Sequence, residues 1–246
     1  MRVGLFVTCL ADLMRPSIGL AALKLLEQSG CEVIVPGAQT CCGQPGYNSG
    51  DRAAAQALAL KLISEFEECD YVVVPSGSCS GMIKTHYAEL LSGIADARAK
   101  AEWLAARTWE LTDFLVNVIG MKAIDARFDG TVTYHDSCAG LREMGVKEQP
   151  RELLSKVDGL SVTEMDGAEQ CCGFGGTFAV KYGDISSRLA DLKCDDVEKT
   201  AADAVVLGDL GCMLNIEGRL RRRGDNQTRV LHIAEVLTGM TGTETQ

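Results

Sequence analysis

The sequence predicts an α/β fold of two tandem, pseudo-symmetric subdomains, each a mostly parallel sheet flanked by helices. Three observations lead to this prediction. Short β-branched runs alternate with longer segments of helical periodicity along the chain. A cysteine motif occurs twice, about 130 positions apart. The chain has 246 residues, which suffices for one large domain or two small ones.

The first half begins with a β-branched run, after which helices and strands alternate. A helix is predicted where apolar residues recur on one face, as Ala55, Leu58, Leu62 and Ile63 do. Asp51 precedes this segment and is a suitable N-cap, because its carboxylate stabilises the positive end of a helix. The predicted elements are strand 3–8, helix 17–28, strand 32–36, helix 52–68 and strand 71–75.

The second half repeats the same order of elements. They are strand 131–134, helix 150–157, strand 160–164, helix 184–198 and strand 204–208. Residues 120–130, with a glycine at each end, form the predicted joint. The predicted subdomains are therefore residues 1–120 and 131–246, each with one copy of the cysteine motif.

Charge and hydropathy exclude several classes of partner. The formal net charge is -10, so nucleic acid and anionic membrane surfaces would be repelled. No segment approaches the roughly 18 apolar residues of a transmembrane span. The N-terminus starts directly as a strand and lacks the features of a signal peptide. We therefore expect a cytoplasmic protein, in which thiols stay reduced.

Eleven cysteines in a reduced protein indicate metal, cluster or redox chemistry more than disulfides. Eight of them form two matched sets in the order Cys, Cys-Cys-Gly, Cys. Each set follows the ends of predicted strands, at the sheet edge where α/β folds bind ligands. The sets are Cys9, Cys41, Cys42 and Cys79 in the first half, and Cys138, Cys171, Cys172 and Cys212 in the second.

The spacing of these cysteines favours iron–sulfur binding. Thiolates are soft ligands that suit iron–sulfur clusters, zinc and copper(I). Structural zinc sites usually contain C-x₂₋₄-C pairs, which this chain lacks, and the ferredoxin spacing is also absent. The glycine after each cysteine pair lets backbone approach a large ligand. Zinc and a redox dithiol remain as alternatives.

The other cysteines and the histidines allow less specific predictions. Cys31, Cys69 and Cys194 have no partner at the repeat distance, and we expect them to pack in the core. His135 lies three residues before Cys138. We expect it either to donate a hydrogen bond to a cluster sulfur or gate a proton, or to be a hydrogen-bonded structural histidine. His86 is predicted to lie at the surface or to cap a helix, and His232 is predicted to be structural.

The paired motifs resemble those of the CCG-domain (cysteine-rich domain) family. The resembling segments are residues 6–10, 39–45, 75–82, 134–138, 171–176 and 208–212. That family includes the cysteine-rich component of heterodisulfide reductase and the iron–sulfur components of glycolate oxidase and anaerobic glycerol-3-phosphate dehydrogenase. Within it, the motifs are most similar to the lactate-utilization branch.

This resemblance implies an iron–sulfur electron-transfer subunit of an oxidoreductase complex that oxidises L-lactate to pyruvate. It implies partner subunits, iron–sulfur proteins among them, and a chain that is not catalytically complete alone. All eight repeated cysteines are implied as ligands of four-iron clusters, one per half, with zinc as an alternative or adventitious occupant. A heterodisulfide-reductase-like thiol–disulfide protein and a zinc-binding scaffold without clusters are the alternative functions.

The chain departs from the heterodisulfide reductase pattern at one position of each half. The motif in that enzyme ends in C-x-x-C, and here Ser76 and Asp209 stand in place of the first cysteine of that pair. Four thiolates suffice for an ordinary four-iron cluster. An oxygen ligand from Ser76 or Asp209 is the alternative that the sequence leaves open.

Overall fold

Two four-stranded parallel sheets form the framework of the computed structural model, which describes residues 1–242. The first sheet has the order β2-β1-β3-β4, with β1 (Arg2–Leu5), β2 (Glu32–Ile34), β3 (Tyr71–Val74) and β4 (Thr108–Glu110). The second has the order β6-β5-β7-β8, with β5 (Arg127–His135), β6 (Asp158–Val162), β7 (Ala204–Leu207) and β8 (Arg229–His232). The predicted α/β fold with two tandem parallel sheets is confirmed.

Helices connect the strands within each half. The first half contains α1 (Cys9–Met14), α2 (Ser17–Gln28), α3 (Gln44–Ser49), α4 (Arg52–Phe66), α5 (Gly77–Gly81), α6 (Tyr87–Leu90), α7 (Ala97–Arg107) and α8 (Leu111–Asp113), with π-helical turns at Met82–His86 and Phe114–Val118. The second contains α9 (Cys138–Met144), α10 (Glu148–Leu154), α11 (Thr177–Lys181), α12 (Gly183–Thr200), α13 (Leu210–Arg222) and α14 (Ile233–Thr238). The predicted N-cap of α4 is present, because the Asp51 carboxylate accepts a hydrogen bond from the amide of Ala54 at 3.1 Å.

The edge strands β4 and β8 are the sheet elements that the sequence did not predict. Each contains a single β-branched residue, Thr108 or Val230, and so shows no β-branched run. They form because a central strand pairs with them in parallel, as Val73 does with Trp109 and Val206 with Leu231. The strand assignment there comes from tertiary pairing and not from local propensity.

The second sheet begins within the segment predicted as the joint. Strand β5 starts at Arg127, inside residues 120–130, and the Arg127 guanidinium pairs with the carboxylates of Asp129 and Asp158 at 2.7 and 2.6 Å. The predicted second subdomain ends at residue 246, and its last four residues lie outside the described part of the chain.

One hydrophobic cluster contains side chains from both halves. Leu25 and Phe114 of the first half belong to it together with Tyr134 and Leu237 of the second. A polar contact accompanies this packing, since Glu235 accepts hydrogen bonds from the Arg15 side chain at 2.8 Å and the Ser17 hydroxyl at 2.6 Å. The halves are therefore packed against each other through a shared core.

The carboxyl ends of the central strands β3 and β7 face each other. The amide of Gly77, just after β3, donates to the carbonyl of Gly208, just after β7, at 3.2 Å. A side chain at Gly77 would lie 2.8 Å from the Gly140 backbone, so α5 and α9 also approach closely. This arrangement brings the ligand-binding edges of both sheets to one interface.

Within residues 1–242, no helix combines the length and the apolar character that crossing a membrane requires.

Candidate cluster-binding sites

The first set of cysteines converges at the carboxyl edge of the first sheet. Cys9 is the first residue of α1, Cys79 lies in α5, and the pair Cys41–Cys42 precedes α3. The Cys42 and Cys79 sulfurs are 3.3 Å apart. The neighbouring thiols of Cys42 and Cys9 lower the pKa of Cys41. Four residues that are far apart in the sequence thus form one group of sulfurs.

The second set has the same arrangement. Cys138 is the first residue of α9, and Cys212 lies in the first turn of α13. The thiols of Cys138 and Cys172 lower the pKa of Cys171, and the sulfurs of Cys172 and Cys212 lie within 4.8 Å of each other. Both predicted sets are therefore assembled in full, and they lie on either side of the interface between the halves.

The glycine after each cysteine pair is required by the local backbone. Gly43 and Gly173 have φ of 83° and 88°, a conformation that glycine adopts without strain. Their amides donate to the Cys41 and Cys171 sulfurs at 3.4 and 3.3 Å. A side chain at Gly173 would lie 2.5 Å from the carbonyl oxygen of Ser186, so the loop also needs glycine to pack against α12.

One sulfur in each set has a pKa well below that of an ordinary thiol. Hydrogen bonds from neighbouring thiols and from the following amides lower the pKa of Cys41 to about 3 and that of Cys171 to about 2. The pKa values of Cys9 and Cys138 are raised, because each thiol donates to that sulfur and is partly desolvated. Four crowded sulfurs that share protons in this way are a donor set for a soft cation, which would displace those protons.

Side chains that sequence analysis missed hold the cysteine pairs in place. The Tyr87 hydroxyl donates to the carbonyl of Cys42 at 2.7 Å, and the Asn215 amide donates to the carbonyl of Cys172 at 2.8 Å. Both residues lie on helical segments that follow the last cysteine of their half. They are not at matching distances from the motifs, so the repeat gave no signal for them.

A cavity adjoins each set of sulfurs. The cavity beside the first set has a volume of about 300 Å³, and the one beside the second set has about 430 Å³. Gln44, Asn48, Ser78 and Phe174 line both of them. The four thiol groups, the amide donors and these volumes fit an inorganic cluster in each half, so the clustered cysteines are compatible with iron–sulfur binding.

The oxygens of Ser76 and Asp209 are used as helix caps. Ser76 Oγ accepts from the amide of Cys79 at 3.4 Å and lies 3.2 Å from the Asp209 carboxylate. That carboxylate also accepts from the amides of Gly211 at 3.1 Å and Ser78 at 2.8 Å. These bonds occupy both carboxylate oxygens of Asp209. This favours cluster ligand sets that contain neither Ser76 nor Asp209.

The histidines occupy three different environments. His232 caps α14 by accepting from the amide of Ala234 at 3.2 Å, in agreement with a structural role. His86 lines the second cavity, where it lies 3.4 Å from the Tyr47 hydroxyl and 3.6 Å from the Glu143 carboxylate. His135 is fully buried beside the second set of cysteines.

The three unmatched cysteines lie in the hydrophobic cores. Cys31, Cys69 and Cys194 are buried among apolar side chains, and all eleven cysteines of the chain are free thiols. Their placement agrees with the predicted packing role.

Comparison with known proteins identifies the family. The model of the cysteine-rich (CCG) domain matches residues 3–84 and 132–217, one copy in each half and more than half of the chain. The chain belongs to the CCG cysteine-rich domain family. Both matched segments include all four cysteines of their set, which agrees with the resemblance that the motifs carry.

Two proteins of high sequence similarity match nearly the whole chain. Lactate utilization protein A 2 of Bacillus cereus (strain Q1) is 46% identical over 96% of this chain and 98% of its own length. Lactate utilization protein A of Geobacillus sp. (strain WCH70) is 48% identical over 96% of this chain and 99% of its own.

One solved structure is similar in fold alone. A hypothetical protein from Helicobacter pylori superposes on all of this chain with a TM-score of 0.62 at 10% sequence identity. This chain spans about half the length of that protein, 49%.

Proposed function

We propose that this protein is an iron–sulfur electron-transfer subunit of a complex that oxidises L-lactate to pyruvate. The observation that carries the proposal is the assembly of two complete four-cysteine sets at one interface. The substrate is proposed from the 46–48% identity to proteins named lactate utilization protein A.

Each half, residues 1–120 and 131–246, would hold one four-iron cluster. The ligands would be Cys9, Cys41, Cys42 and Cys79 in the first and Cys138, Cys171, Cys172 and Cys212 in the second. Such a cluster gains and loses single electrons at a potential that its surroundings set. The protein supplies the thiolates, and the amides of Gly43 and Gly173 stabilise the charge on sulfur.

The proposed role follows from the electron balance of the reaction. Oxidation of L-lactate to pyruvate releases two electrons and two protons. We propose that lactate is held by a partner protein of the complex and that the electrons pass singly through this chain to a redox centre of another partner. Phe174 and Gln44 line both cavities, and this shared lining supports electron transfer between the halves.

Metal analysis of anaerobically purified protein tests this proposal. We expect a brown protein with broad absorbance near ~400 nm and roughly eight irons with matching sulfide per chain, as two four-iron clusters require. Cys41→Ser and Cys171→Ser should each remove about half of the iron. The buried Cys69, which lies outside both sets, provides the matched control, and Cys69→Ser should retain all of it.

Two results would contradict the proposal. One is a colourless anaerobic preparation that contains stoichiometric zinc, which would favour a zinc-binding scaffold. The other is unchanged iron in Cys171→Ser, which would refute one cluster per half.

A further inference from the structure

The two sites differ three residues before the first cysteine of each set. The first half has Phe6 there, whose ring packs edge-on against Phe66 with centroids 6.1 Å apart. The second half has His135, at the end of β5. Both side chains are fully buried. The repeat therefore places an imidazole beside the second set of sulfurs where the first has only hydrocarbon.

Hydrogen bonding fixes the tautomer of His135. Its Nδ1 lies 3.1 Å from the carbonyl oxygen of Ala168, and since a carbonyl only accepts, Nδ1 carries the proton and donates it. In a neutral imidazole whose proton is on Nδ1, the other ring nitrogen carries no proton. Nε2 is then left with a lone pair and no proton, and it cannot donate a hydrogen bond to sulfur.

The lone pair of Nε2 has no partner among the described residues. Nε2 is buried and makes no hydrogen bond. A buried polar atom without a partner is destabilising, so the unpaired Nε2 indicates a ligand.

Two cysteine sulfurs lie next to the imidazole. A ring nitrogen of His135 and the sulfurs of Cys172 and Cys212 all lie within 4.8 Å of one another. Because Nδ1 is engaged with Ala168, Nε2 is the nitrogen that can bind a metal. Histidines that bind metals usually donate their other N–H to a carbonyl or carboxylate, as His135 does.

A buried cation accompanies this histidine. The Lys193 side chain, from α12, is 1% exposed and donates to the carbonyl of Gly167. Its positive charge acts on the Cys212 thiol and on His135. Ala55 of α4 packs on Gly43 as Ser186 of α12 packs on Gly173. Lys193 comes seven residues after Ser186, and the residue seven after Ala55 is the apolar Leu62.

We propose that Nε2 of His135 is an iron ligand in the second site, so that the two sites have different donor sets. This inference rests on the proposed function. The first site offers four thiolates, and the second offers four thiolates and an imidazole. Imidazole is a neutral ligand whereas thiolate is anionic, and imidazole ligation is associated with the raised potentials of Rieske centres. We therefore expect the second site to have the higher potential of the two.

Pulsed EPR on the iron-loaded protein tests this assignment. In the Cys41→Ser background, which confines the signal to the second site, we expect nuclear coupling from a directly bound nitrogen. Growth with ¹⁵N-histidine should change that coupling from the ¹⁴N to the ¹⁵N pattern. This labelling experiment needs no substitution of His135 and so does not depend on how a variant folds.

His135→Phe, which installs the residue of the first half, should abolish the coupling. His86→Phe is the matched control, because His86 lines the cavity beside the second set of cysteines, and it should keep the coupling. An iron signal without histidine coupling, or a coupling that persists in His135→Phe, overturns this inference and leaves the proposed function intact. A protein without iron overturns both.

Discussion

At the scale of single residues, the glycines after the cysteine pairs are constrained by both backbone conformation and packing. Gly173 combines a positive φ with contact against α12, whereas Gly30 has a φ of 79° and nothing within 4 Å of an added side chain. Comparing the two positions separates backbone strain from steric conflict.

We predict that Gly173→Ala destabilises the protein more than Gly30→Ala. Backbone strain alone should cost about 1 kcal/mol at Gly30. At Gly173 the conflict with the Ser186 carbonyl should raise the cost to roughly 2–4 kcal/mol and lower the iron content by about half. Denaturant unfolding and iron analysis measure both effects. Equal losses of stability in the two variants would show that the packing against α12 is tolerant.

At the scale of secondary-structure elements, Asp209 joins the start of α13 to the start of α5. Its carboxylate accepts from the amide of Gly211 in its own half and from the amide of Ser78 in the other. Residues 131 positions apart are thus linked by one side chain at the interface.

We predict that Asp209→Asn retains full iron but lowers the free energy of unfolding by about 1–2 kcal/mol, because the amide group can accept only part of these bonds. Asp225→Asn is the control. The Asp225 carboxylate also accepts from two amides, those of Gln227 and Thr228, but both lie in the same turn of the second half. Loss of iron in Asp209→Asn alone would identify the carboxylate as a ligand and contradict its assignment as a cap.

At the scale of the whole molecule, a buried carboxylate between the halves makes stability depend on pH. Glu110 is 2% exposed, caps α8 through the amides of Thr112 and Asp113, and lines a small internal cavity with Tyr134 and Gly208. Burial raises its pKa from an ordinary value of 4.5 to about 7.

We predict that this group makes the protein less stable as pH rises. Between pH 4.5 and about 7 the folded state binds the Glu110 proton more tightly than the unfolded state does. The contribution of Glu110 to the free energy of unfolding therefore falls by up to about 3 kcal/mol as the pH rises through this range. Glu110→Gln should remove that part of the pH dependence in denaturant unfolding under reducing conditions. Glu32→Gln, at an exposed carboxylate, should leave it unchanged. The same pH profile in Glu110→Gln and the unsubstituted protein would refute the assignment.

Much of the fold and of the candidate sites was predictable from local sequence. Runs such as Val72–Val74 and the helical periodicity of residues 52–68 carry their own signals, and the elements found there are β3 and α4. The edge strands β4 and β8 were not predictable, because they depend on pairing with a neighbouring strand. Tyr87 and Asn215 were missed for the same reason, since their roles depend on a carbonyl more than forty residues away.

The sequence by itself determined the two sets of four cysteines and the type of fold that gathers each set. Repeated β–α units with parallel strands bring the carboxyl ends of the strands to one edge, so strand order and motif spacing suffice for that conclusion. Only the tertiary structure decided that the two edges face each other, that Asp209 bonds across the interface, and that His135 Nε2 is left beside Cys172 and Cys212. These features depend on how the two halves pack and on which groups become buried, and neither has a local signal in the chain.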